Sequence, residues 1–99
     1  MDLLAQVKVR KDSKYIDAGD AQVRNVSREG MFFDCREFIP PGSAVRLIIE
    51  WPVRFERKTR VDWIVDGLIV RSTPGGAALN IMRQRFERVA QSRRKKLAS

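Results

Sequence analysis

Apolar and polar residues alternate along most of this chain. Ala5, Val7 and Val9 are interleaved with Gln6, Lys8 and Arg10, the period of a half-buried β-strand. Lys11 to Asp20 breaks that period with charges, Ser13 and Gly19, and predicts a hairpin loop. Ala21 to Val26 reads as a second short strand, Ser27-Arg28-Glu29-Gly30 as a turn, and Met31, Phe33 and Cys35 as one face of a third strand. Phe38-Ile39-Pro40-Pro41-Gly42-Ser43 is a stiff loop, because proline cannot donate to a sheet ladder and Gly42 permits the turn. Val45, Leu47, Ile49 and Trp51 form the clearest strand, ended by Pro52 and followed by a charged connection from Arg54 to Arg60. Val61 to Arg71 places Trp63, Val65 and Ile69 on one face, and Gly67 within it predicts a bulge or bend. Pro74-Gly75-Gly76 turns the chain into a last strand, Ala77 to Met82.

Six short strands joined by turns, each with one apolar face, close most simply into a small barrel, since closure removes the sheet edges. From about Arg83 the period changes. Phe86, Val89, Ala90 and Leu97 fall on one helical stripe, interrupted at Arg93. Arg93-Arg94-Lys95-Lys96 would suit the C-terminal end of a helix dipole. The expected fold is all-β: a six-stranded antiparallel barrel followed by a C-terminal α-helix. Residues 1–90 form the barrel and the start of the helix, and residues 91–99 a basic helical tail.

Charge changes this picture in one respect. The net charge is +8 over 99 residues, but residues 1–82 carry 13 Lys/Arg against 11 Asp/Glu, while residues 83–99 carry 7 against Glu87 alone. The basic character is thereby assigned mainly to the tail. That tail sets up an alternative reading, a small basic barrel binding nucleic acid through Lys and Arg. Aromatic residues are not interleaved with its charges, so no stacking platform for single strands is expected and nucleic acid is disfavoured.

The chain has no histidine, which removes histidine triads, histidine–metal sites and the commonest general base at neutral pH. One cysteine excludes an internal disulfide. No apolar run approaches the roughly 18–20 residues of a membrane helix, so membrane insertion is not expected. Met1-Asp2-Leu3-Leu4 lacks the basic and apolar stretches of a secretory signal. A cytoplasmic, non-enzymatic protein without metal-ligating or catalytic residues is the expectation. Trp51, Trp63 and Cys35 read as core, and Asp62 and Asp66 as solvent-facing charges.

Asn25-Val26-Ser27-Arg28-Glu29-Gly30 is an Asn-x-Ser-x-x-Gly sequence between two strands. Taken alone it is a turn, in which Asn and Ser side chains bond nearby backbone and Gly30 takes a positive φ. In context it resembles the second motif of the PilZ domain, a six-stranded barrel that serves as a receptor for the bacterial second messenger cyclic di-GMP. Met31-Phe32-Phe33, the Pro40-Pro41-Gly42-Ser43 loop before Val45–Trp51, and the pair Gly67-Leu68-Ile69-Val70-Arg71 and Gly76-Ala77-Ala78-Leu79 are also similar to that family. The resemblance spans Ala5 to Glu87. It implies a PilZ-like barrel, a place in cyclic di-GMP signalling, and Asn25, Ser27 and Gly30 as residues on the guanine side of a nucleotide site. Arg24, Arg28 and Arg10 are the candidate phosphate contacts.

The departure from the family is a missing clamp. Nucleotide-binding members carry Arg-x-x-x-Arg before the first strand, whereas no arginine precedes Arg10 here. Arg10-Lys11-Asp12-Ser13-Lys14 is the nearest imitation and ends in lysine. A guanidinium pairs bidentately with phosphate or a guanine edge and stacks on the base; an ammonium does neither. Losing both arginines removes interactions of about 1.5–3 kcal/mol per charge-assisted bond. Two readings follow: a small-molecule receptor module whose N-terminal arginines lie upstream of this chain, or a protein-interaction adaptor whose nucleotide site is weak or lost.

Overall fold

The computed structural model of the chain describes residues 2–54, 56 and 58–89. The alternating stretches form six strands: β1 (Leu3–Lys11), β2 (Lys14–Val26), β3 (Gly30–Cys35), β4 (Ala44–Glu50), β5 (Val61–Thr73) and β6 (Gly76–Arg88). All neighbours are antiparallel, in the order β1-β2-β3-β6-β5-β4, and β4 pairs back with β1 to close the barrel. Every second residue points inward. Val7, Val23, Phe33, Val45, Leu47, Ile49, Val65, Ile69 and Leu79 are fully enclosed. Each larger one contributes about 1.5–3 kcal/mol by leaving water. Ile39, from the proline loop, is buried against this core, and its carbonyl accepts from the Ser72 hydroxyl. Gly42 turns that loop with φ 91°, the role assigned to it above.

The strands are longer than the apolar pattern indicates. Lys14–Asp20, expected as loop, belongs to β2, and only Asp12 and Ser13 separate it from β1. Asp12 makes this turn at φ 60°, a left-handed conformation that aspartate tolerates. The charged residues of this arm are exposed, so no apolar alternation marks it. Tyr15 anchors the arm: its ring lies 4.5 Å from the Arg46 guanidinium on β4.

The second correction concerns the C-terminal helix. Residues 83–88, where it was expected to begin, continue β6 in register with Asp66 to Val61 of β5. Cross-strand bonding to β5 holds alternate residues of this backbone, and Trp63 Nε1 donates to Gln84 Oε1 at 2.9 Å. The helical stripe rests on too few residues here to oppose a strand partner. Phe86, expected in a helix core, is 55% exposed. It stacks on Trp63 at 6.0 Å and meets the edge of Trp51 at 5.2 Å. Residues 90–99, and with them the rest of the expected helix and the basic tail, lie outside the described residues. Three arginines counted with the tail, Arg83, Arg85 and Arg88, are in fact on the barrel.

The bulge expected at Gly67 is present: Asp66 pairs with Arg83 and Gly67 with Ile81, leaving Met82 as the extra residue. A Cβ on Gly67 would run into the Asn80 carbonyl oxygen and lie 2.7 Å from Leu79 Cδ1. Cys35 is buried as expected, and burial pushes its thiol pKa up, which keeps it a poor nucleophile.

Asp66 is not solvent-facing. It is 6% exposed, and its cross-strand partner Arg46 grips it with both ends of the fork, Nε to Oδ1 at 2.6 Å and a terminal nitrogen to Oδ2 at 3.0 Å. Those bonds hold its carboxyl below the usual range despite the opposing effect of burial. A depressed folded pKa means full stabilisation above the unfolded value, lost as the pH falls through the folded one. Asp66→Asn should therefore destabilise the barrel by about 1–3 kcal/mol at pH 7, with the gap to wild type narrowing below about pH 4. Urea midpoints at pH 7 and pH 3 measure both; a gap that stays constant would show that the carboxylate charge contributes nothing.

Candidate functional site

The Asn25–Gly30 turn joins β2 to β3 at one end of the barrel. Ser27 donates from its backbone N–H to the Gly30 carbonyl at 2.8 Å and from its hydroxyl to the same oxygen at 3.2 Å. The Glu29 carbonyl accepts from Ile81 N–H at 2.8 Å, which ties the turn to β6. Asn25 stands opposite Phe32 near the end of β2, and Arg24 is the extra residue of a bulge just before it.

Gly30 is required for a different reason than the one expected. Its φ is not positive. It lies where β3 presses on β6, and a Cβ there would sit 2.7 Å from the Leu79 carbonyl oxygen. The glycine marks a close backbone approach rather than a left-handed turn.

A shallow groove of about 340 Å³ runs beside the turn, lined on one side by Asn25, Ser27 and Gly30 and elsewhere by Phe32, Val70 and Asn80. These last residues sit on the outer barrel surface, since their strand neighbours Phe33, Ile69 and Leu79 point inward. Three of the six candidate residues therefore share one groove. Phe32, Val70 and Asn80 carry no local signal in the sequence; strand pairing alone brings them to the motif.

The three arginines are distributed differently. Arg28 is exposed on the turn itself. Arg24 donates from Nε to Asp34 at 2.5 Å and from a terminal nitrogen to Asp2 at 3.1 Å, and these bonds raise its pKa further. Neither acid was singled out from the sequence, because both are distant in the chain and meet Arg24 only through β2–β3 and β1–β2 pairing. Arg10 lies beside the Asp12 turn, with Nε donating to the Asp12 carbonyl at 3.3 Å. Register places Arg10 opposite Tyr15 and Leu3 opposite Val23, so about 23 Å of β1 separates Arg10 from the motif end. Arg10 does not join this site.

The groove thus offers an amide, a hydroxyl, exposed backbone and an apolar flank, with one candidate arginine adjacent and another held by two carboxylates. This suits hydrogen bonding to a planar polar edge better than holding a doubly charged anion. Among the described residues, no group of three His, Cys, Asp or Glu side chains could hold a metal ion, and no helix is long and apolar enough to cross a membrane.

Because a backbone carbonyl, not a movable side chain, blocks a Cβ at position 30, Gly30→Ala should destabilise the fold by about 1–3 kcal/mol in a denaturant titration. An unchanged midpoint would mean that β3 and β6 can separate there without loss.

No family model, no curated protein and no solved structure matches this chain.

Proposed function

We propose that this chain is a non-enzymatic, PilZ-type module of bacterial cyclic di-GMP signalling that acts chiefly as an adaptor through protein contacts, with its nucleotide site weak or lost. The closed six-stranded barrel with an Asn-x-Ser-x-x-Gly turn between β2 and β3 supports the PilZ-type half of this reading. The observation that carries the adaptor half is the state of the arginines. Arg24, the candidate cation next to Asn25, is already paired with Asp34 and Asp2, and Arg10 stands at the far end of the β1–β2 arm. A cyclic dinucleotide brings two phosphates; of the three candidates only Arg28 stands exposed on the turn, and the groove itself is lined by Glu29 and by no arginine. Asn25 and Ser27 would still offer hydrogen bonds to a guanine edge.

Calorimetry of the full chain with cyclic di-GMP tests the proposal. Binding should be weaker than about 10 μM, a free energy less favourable than roughly −7 kcal/mol. The Asp2→Asn/Asp34→Asn pair, which neutralises both carboxylates bonded to Arg24, should bind several-fold more tightly than wild type. Saturable sub-micromolar binding by the wild-type chain would overturn the adaptor reading in favour of a receptor. No heat with either protein would remove Arg24 from any phosphate contact.

A further inference from the structure

Strand β6 outruns its neighbour on one side. It pairs with β3 only from Gly76 to Asn80, but with β5 along its whole length to Arg88. Among the strands it touches β3 and β5 and no other. From Met82 onward, one edge of β6 therefore has no strand beside it among the described residues. Exposed edges of this kind are the places where sheets gain a strand from another chain.

The direction of the backbone bonds can be worked out. Val89 N–H donates to the Arg60 carbonyl at 2.9 Å, and antiparallel bonding recurs every second residue. Glu87, Arg85 and Arg83 therefore bond across to β5, and Gln84 and Phe86 turn their N–H and C=O groups outward. The same stretch holds Phe86, half exposed although it stacks on Trp63 and Trp51. Beside it lies a groove of about 410 Å³ lined by Trp51, Val53 and Val61.

Which strand fits this edge follows from its charges. The segment Arg85-Phe86-Glu87 is complementary to itself when reversed about Phe86, with Gln84 then facing Arg88 and Arg83 facing Val89. In that antiparallel register, Phe86 faces Phe86 of a second copy as a backbone-bonded pair, and Arg85 faces Glu87 of the second copy on both sides of the axis. Shifting the centre to Arg85 keeps the outward N–H and C=O groups in place and pairs Arg83 with Glu87 on both sides, but adds Arg85 against Arg85 on the axis, a like-charge contact that the Phe86 register lacks. Opposite charges and aromatic pairs directly across a ladder stabilise it, and like charges there destabilise it. Within one chain Arg85 Nε already bonds Glu87 at 2.8 Å, so the dimer would link two such pairs into an alternating row.

We infer that the chain forms a two-fold symmetric dimer by antiparallel pairing of the β6 edges, centred on Phe86. The interface is isologous and closed, so it ends at two copies. It brings the two aromatic clusters together across the axis and covers the exposed faces of both Phe86 rings.

Sedimentation of the full chain over a range of concentrations tests this, together with two single charge reversals, Arg85→Glu and Glu87→Arg. Each reversal places two like-charge contacts across the axis and should weaken self-association at least about tenfold. Mixing the two variants in equal amounts should restore a dimer, since the mixed pair has opposite charges at both contacts. Far-UV circular dichroism checks that each variant is folded. If a single reversal fails to fold, the double Arg85→Glu/Glu87→Arg chain keeps both pairings and should dimerise like wild type. A wild-type chain that stays monomeric throughout overturns the proposal. So does a dimer that ignores the reversals, or variants that stay monomeric when mixed.

Discussion

At Leu79 and Asn80, β6 runs between two glycines. Gly30 on β3 gives way to the Leu79 carbonyl on one side, and Gly67 on β5 gives way to the Asn80 carbonyl on the other. Backbone meets backbone there, and nothing in such a contact can move aside as a side chain can. The consequences spread from this point. The Asn25–Gly30 turn is drawn onto β6, where Ile81 N–H reaches Glu29. Asn80 is brought to the groove beside Asn25 and Ser27. The extra residue Met82 follows at once, and beyond it β6 leaves β3 and continues on β5 alone.

Electrostatics is arranged around the same outer surface in short, local pairs. Arg46 holds Asp66 under the Tyr15 ring, Arg24 holds Asp34 and Asp2, and Arg60 pairs with Glu50. The positive charge of the chain is therefore not a uniform field around the barrel. On β6 the same holds, with Arg83 3.9 Å from Asp66 and Arg85 bonded to Glu87 at 2.8 Å.

The interior was legible in the sequence because a half-buried strand writes its burial directly into every second residue. Val7, Val45, Leu47, Ile49, Val65 and Leu79 follow from alternation alone, and the bulge at Gly67 from a glycine interrupting it. The outer surface was not legible in that way. Lys14–Asp20 and Arg83–Arg88 are strands whose side chains are largely exposed, so their composition matches a loop or a polar helix, and only the partner strand decides. Asp66 was misplaced for the related reason that its burial depends on Arg46, twenty residues away. For the site, Asn25, Ser27 and Gly30 are close in sequence and share one groove. The pairing of Arg24 with Asp34 and Asp2, and the remoteness of Arg10, needed the register of three strands.

The topology also divides the chain in two. β1 pairs with β2 and β2 with β3, as β4 does with β5 and β5 with β6, so each half is a three-stranded meander built from local hairpins. Among the described residues, strands of the two halves pair along β1–β4 and β3–β6. Both seams join residues far apart in sequence, and the loop entropy of bringing them together must be overcome before either seam gains its bonds. Mating of the two sheets along these seams is thus the step of greatest loop-closure cost in this topology. Until it occurs, each sheet presents two bare edges of matching register. A half from one molecule can then complete the half of another, which makes strand exchange between chains the characteristic misassembly of this barrel at high concentration.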